Sequence, residues 1–138
     1  MEITIADLSL ALYGEISNEI SRGNDALLEQ KIETGKGEVY GYLHRYDTDT
    51  MFNPVWEDAH FKSLCVAVIV WHLIVLASPN IHMDILRQQY EDAISYLEKV
   101  QKGTVRPNWP LRPDDPESII DDAGNVQFTT NPKRNNHY

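Results

Sequence analysis

An all-α fold, a four-helix domain trailing a long extended C-terminal arm, is predicted by three features of this sequence. Apolar residues recur at helical spacing as far as Val100, a 14-residue run is apolar on almost every face, and five of the seven prolines lie beyond Gly103. That division places a helical domain at residues 1–103 and an arm at 104–138. The 138 residues, 42% of them hydrophobic, suffice for one modest core.

Thr4 followed by Asp7 reads as a helix cap with a carboxylate in the first turn, ahead of Ile5, Leu8 and Leu12 at helical spacing. Gly14 ends this helix, Ile16 to Ile20 adds a turn, and Asn24 caps a second helix from Asp25 to about Tyr46. Its buried stripe is Leu28, Ile32, Gly35, Val39, Leu43 and Tyr46. A glycine on such a stripe predicts close packing, with a break near Gly35 to Gly37 as the alternative. Asp47 to Asn53 is a polar connection, and Asn53-Pro54 turns the chain.

The third helix is predicted over Phe61 to Ala77. From Leu64 to Ala77 only His72 is polar, yet this 14-residue run falls short of the roughly 20 residues that cross a bilayer. It reads as a central buried helix, part of whose surface neighbouring subunits would cover. Ile85, Leu86, Tyr90, Ala93, Ile94, Leu97 and Val100 define an amphipathic fourth helix, ended by Lys99, Lys102 and Gly103.

In the arm, Pro107, Pro110, Pro113 and Pro116 recur every third residue, the repeat of a polyproline II helix, and so would line one edge of an extended ribbon. The arm is either a stiff spacer or a docked segment anchored by Trp109 and Leu111. Asp122 to Asn125 signals a turn, after which Val126 and Phe128 fit a short strand. Acidic Asp114, Asp115, Glu117, Asp121 and Asp122 precede a basic close at Lys133-Arg134, a polarity that suits contact between subunits.

Twelve basic against 21 acidic side chains leave a formal charge of -9, which argues against nucleic acid as the main partner. The first residues carry Glu2 and Asp7 and do not read as a signal peptide. Cys65, the only cysteine, is expected to be a buried reduced thiol.

Motifs for catalysis or phosphate binding are absent, and Gly35-Lys36-Gly37 lacks P-loop spacing. Glu57, Asp58 and His60 are the densest metal-capable cluster, but adjacent positions diverge on a helix, and His44, His72, His82 and His137 fall at no ligand spacing. His72 reads as a core histidine with a partner. Tyr40, Tyr42, Tyr46 and Trp71 read as packing and interface residues. No catalytic, metal-binding or cofactor residue is assigned, and a non-enzymatic protein is expected.

Residues 38–46, EVYGYLHRY, and residues 89–103, QYEDAISYLEKVQKG, together with Ile5-Ala6-Asp7-Leu8 and the spacing between them, resemble the Mu gp36-like family of phage and prophage proteins. The resemblance covers about residues 1–105 and rests on helix-packing signatures. It implies a head-tail connector (adaptor) subunit, a virion protein in an oligomeric ring between portal and tail. Its partners would be copies of itself, the portal protein and tail or neighbouring connector proteins, with DNA as transient cargo and no membrane. The Asp47 to Asn53 loop, the Trp71-His72 pair and the proline-ribbed arm depart from that pattern. The residues also admit a soluble helical adaptor that presents the Pro-x-x-Pro ribbon to a partner.

Overall fold

The computed structural model describes residues 1–11, 25–74 and 83–114, and among them the protein is helical, with no strand. Five helices are present: α1 (Ile5–Ala11), α2 (Asp25–Tyr40), α3 (Thr48–Met51), α4 (Ala59–Ile74) and α5 (Met83–Gln101). The expected stop at Gly14, the turn at Ile16 to Ile20 and the Asn24 cap lie outside the described residues, as does any continuation of α4 to Ala77.

Helices α1, α3 and α4 each begin where the sequence offers a cap. Thr4 donates its amide and hydroxyl to the Asp7 carboxylate at 2.8 Å each, which closes the first turn of α1. Asp47 accepts from the Thr50 amide at 3.2 Å and its hydroxyl at 2.7 Å, turning part of the expected polar connection into α3. Asp58 accepts from the Phe61 amide at 2.8 Å and starts α4. At the other end of α5, Gly103 takes φ 79°. Thr104 and Gly103 donate to the carbonyls of Lys99 and Val100, the paired bonds of a Schellman stop.

Helix α2 ends at Tyr40 rather than near Tyr46. The amides of Gly41, Tyr42 and Leu43 bond three residues back, to Glu38, Val39 and Tyr40, so the chain tightens and leaves the helix. Beyond that turn the Arg45 carbonyl accepts from Arg112 and the Asp47 amide donates to Pro110, which draws this backbone toward another segment. Leu43 and Tyr46 are still buried, because the turn keeps both side chains on the core side.

Helix α4 is the centre, packed against α1, α2 and α5. Phe61, Cys65, Val68 and Ile69 are fully buried along it. Its contact with α2 depends on Gly35, where a Cβ would stand 2.5 Å from Ile69 Cγ1 and 3.0 Å from Ile69 Cα. The close packing expected of that glycine is therefore real, and α2 runs unbroken through Gly35 and Gly37. Lys62 of α4 pairs with Asp7 of α1 at 3.1 Å. Ala93, Leu97 and Val100 turn α5 into the core, whereas Ile85, expected on the same stripe, is 64% exposed at the far end of the helix.

Two glycines in one helix should respond oppositely to alanine. Gly35→Ala forces α2 and α4 apart and should cost about 1–3 kcal/mol, whereas Gly37, with nothing within 4 Å of its Cβ position, should gain up to about 1 kcal/mol in the helix interior. Chemical denaturation of the two variants checks the signs.

Burial alone would raise the Asp7 carboxyl, but its bonds from Thr4 and Lys62 outweigh that and hold it below its ordinary value. A depressed folded pKa gives stability that is complete above the unfolded value, about 4, and lost as pH falls through the folded one. Asp7→Ala should cost about 1 kcal/mol at neutral pH, with the gap to the parent narrowing in acid, as thermal unfolding across pH would record.

Candidate functional site

Trp109 joins the segment after α5 to the helical core. After the Gly103 turn, the Trp109 amide donates to the Pro107 carbonyl at 2.8 Å, bending the chain at Asn108. The indole, only 5% exposed, lies 4.9 Å from Phe61, 5.6 Å from Tyr46 and 6.4 Å from Tyr96 between ring centroids. Phe61 in turn meets Phe52 and Trp56, and Phe52 meets Tyr40. Leu111 then forms an antiparallel bridge with Tyr46, and Arg112 Nε donates to the Tyr46 carbonyl at 3.3 Å.

The expected arm residues are thus divided. Pro107, Trp109, Pro110 and Leu111 are buried or half-buried against the chain's own helices, Pro113 is exposed, and Pro116, Val126 and Phe128 lie outside the described residues. A polyproline II helix makes no internal hydrogen bonds, so the Trp109 to Pro107 bond interrupts the ribbon at its first repeat. Burying a large indole outweighs the local proline preference. The packed body consequently extends past Gly103 to Arg112.

Of the helical aromatics, Tyr46 is buried on Trp109 and Tyr42 is half-buried, while Tyr40 is 41% exposed beside Phe52. Trp71 stacks on Tyr90 with centroids 5.5 Å apart and planes 23° from parallel. Beside that pair, Glu38 of α2 bonds His72 Nε2 of α4 at 2.5 Å and accepts from the Tyr90 hydroxyl of α5 at 2.6 Å. Burial, and then the bond to Glu38, push the Tyr90 hydroxyl up to about 12, so it remains a donor. With both carboxylate oxygens engaged, Glu38 acts as a three-helix clasp, and it is the partner that His72 was expected to have.

Of the metal-capable cluster, Asp58 caps α4 and the His60 ring meets Tyr96 at 4.8 Å. Among the described residues no three His, Cys, Asp or Glu side chains converge on a possible metal position. Burial pushes the Cys65 thiol well above its ordinary range, so it stays a neutral apolar group.

The remaining feature is a groove of about 660 Å³ between α4 and α5. These helices run antiparallel, since His60 meets Tyr96 and Trp71 meets Tyr90. Leu64, Val66, Ala67, Val70 and Ala93 supply an apolar floor, and His60, Ser63, Gln89, Asp92 and Tyr96 a polar rim. Ile85 stands one turn before Gln89 on the same face of α5, extending the apolar surface past the groove. Sequence reasoning named none of these as a site. The available signal was that α4 is apolar on the side where α5 offers only small and polar residues.

Compared with known proteins, the chain matches no family model, no curated protein and no solved structure. Among the described residues, no helix is long and apolar enough to cross a membrane.

Trp109→Ala should cost about 3–5 kcal/mol and flatten the near-ultraviolet circular dichroism of the aromatic cluster. Trp109→Phe, which keeps a ring against Phe61, should lose distinctly less.

Proposed function

We propose that this protein is a non-enzymatic assembly subunit, a head-tail connector (adaptor) that forms a homo-oligomeric ring between the portal and tail of a tailed phage. The observation that carries this reading is the groove between α4 and α5, where Val66 and Ala67 of the central apolar helix stay half-buried beside buried Leu64, Val70 and Ala93. A face of this kind on a small domain suits subunit contact. The resemblance of residues 38–46 and 89–103 to connector proteins supplies the setting: a virion component assembled in the host bacterial cytoplasm, bound to copies of itself, the portal and tail or neighbouring connector proteins. With a net charge of -9, acidic side chains around a channel would repel DNA and let it pass as cargo.

The adaptor alternative, in which the Pro-x-x-Pro ribbon is offered to an aromatic groove elsewhere, has less support. Trp109 is buried at home, and the Pro110 carbonyl is occupied by the Asp47 amide at 2.9 Å.

Native mass spectrometry of the full chain, alone and with a portal protein, tests the proposal. A closed multi-subunit species is expected, and monomer under both conditions contradicts it. Because Trp109 is part of the core and Val105 and Leu111 pack against it, the cut that separates arm from body falls after Asp114 rather than after Gly103. Truncation there should preserve helical circular dichroism and abolish higher assembly.

A further inference from the structure

We propose that the acidic segment from Asp114 to Asp122 docks on a basic patch of its own chain, formed by Lys99, Lys102, Arg106 and Arg112 together with Arg45. This inference goes beyond the assembly reading and does not depend on it.

The patch is a concentration of positive charge in an acidic protein. From Lys99 to Arg112 the chain carries four basic side chains and no acidic one, although its formal charge is -9. The fold draws these four together around Gly103 and adds a fifth. Arg45 Nη1 stands 3.4 Å from where a Cβ on Gly103 would lie, and Arg106 Nε donates to the Gly103 carbonyl at 3.3 Å. Arg112 is tied to the same place through its amide, which donates to the Arg45 carbonyl at 3.1 Å, while its Nε donates to Tyr46. Lys99 and Lys102 reach it from the end of α5, and every member except half-buried Arg45 is exposed.

The carbonyl end of α5 accounts for lysines in and just past its last turn. It does not account for the three arginines, which come from the turn after α2 and from the segment beyond Gly103. Like charges gathered in this way raise the local potential and favour a partner with several negative charges. Asp47, the carboxylate beside Arg112, is committed to the Thr50 amide and hydroxyl.

Charge and position both favour the next segment of the chain as the occupant. Asp114, Asp115, Glu117, Asp121 and Asp122 place five acidic side chains and no basic one within residues 114–122. Asp114 is exposed two residues after Arg112, so the segment starts at the edge of the patch. Extended, these residues cover about 30 Å, enough to turn back past Gly103 to Lys99, roughly one helical turn of about 5.4 Å away. So short a tether gives an effective concentration on the order of millimolar, an advantage that a separate copy lacks. Nucleic acid, the other polyanion, would have to approach a chain with 21 acidic against 12 basic side chains.

The test is zero-length carbodiimide coupling of the full-length protein, mixed from light and heavy-nitrogen copies, since this reagent joins a carboxylate to a lysine amine only where the two touch. Adducts of Lys99 or Lys102 with Glu117, Asp121 or Asp122 are expected, each within one copy. They should fall roughly tenfold in 1 M salt, where the screening length is about 3 Å. Arg106→Glu, which leaves both lysines in place, should lower them to a similar degree while far-ultraviolet circular dichroism stays unchanged. Coupling of these lysines only to other carboxylates, coupling only between light and heavy copies, or yields indifferent to both salt and Arg106→Glu would overturn the docking. The assembly reading is judged separately, by the oligomeric state in native mass spectrometry.

Discussion

A helix that is apolar on most of its faces must be covered on most of them, and α4 imposes that demand on the rest of the chain. Each neighbour meets it differently. Helix α2 comes close because Gly35 has no side chain to hold Ile69 away. Helix α1 is held across α4 by the Asp7 to Lys62 pair. Helix α5 contributes Ala93, Leu97 and Val100. Three helices still leave the end of α4 around Phe61 open, and the segment after α5 fills it with Trp109. Burial of that indole converts the first part of a proline-rich stretch into core, since the apolar surface it hides outweighs the extended preference of its neighbours.

Polar groups inside this arrangement are there as ties. Glu38 gathers His72 and Tyr90 from two other helices, so the one polar residue in the apolar run is bonded rather than stranded. Asp58, His60 and Cys65 have structural duties as cap, ring contact and buried thiol. In the groove between α4 and α5, Val66 and Ala67 stay half-buried where α5 offers small Ala93 and polar side chains.

Local chemistry was largely legible in the sequence. The Thr4 to Asp7 cap, the spacing of the stripe from Leu28 to Tyr46 and the Gly103 stop each depend on residues a few positions apart, and a glycine on that stripe signalled the close approach that distant Ile69 makes. Features set by distant partners were not. The end of α2 at Tyr40 depends partly on backbone bonds to Pro110 and Arg112, whose positions the periodicity of residues 25–46 cannot report. Trp109 marked the arm as more than a spacer, but that its seat was the chain's own Phe61 required the tertiary fold. Ile85 kept the amphipathic spacing yet lies beyond the core's reach. The groove was illegible for a related reason: it consists of what α5 fails to cover, and a mismatch between two surfaces has no motif.

Hydrogen exchange along α4 in the full-length protein tests this picture most directly. If α4 organises the fold, amides from Cys65 to Ile69 should exchange only through global unfolding and be the slowest in the chain. Exchange of α4 ahead of α2 or α5 would contradict it, because the helix on which every other element is said to depend would then open while they stay closed.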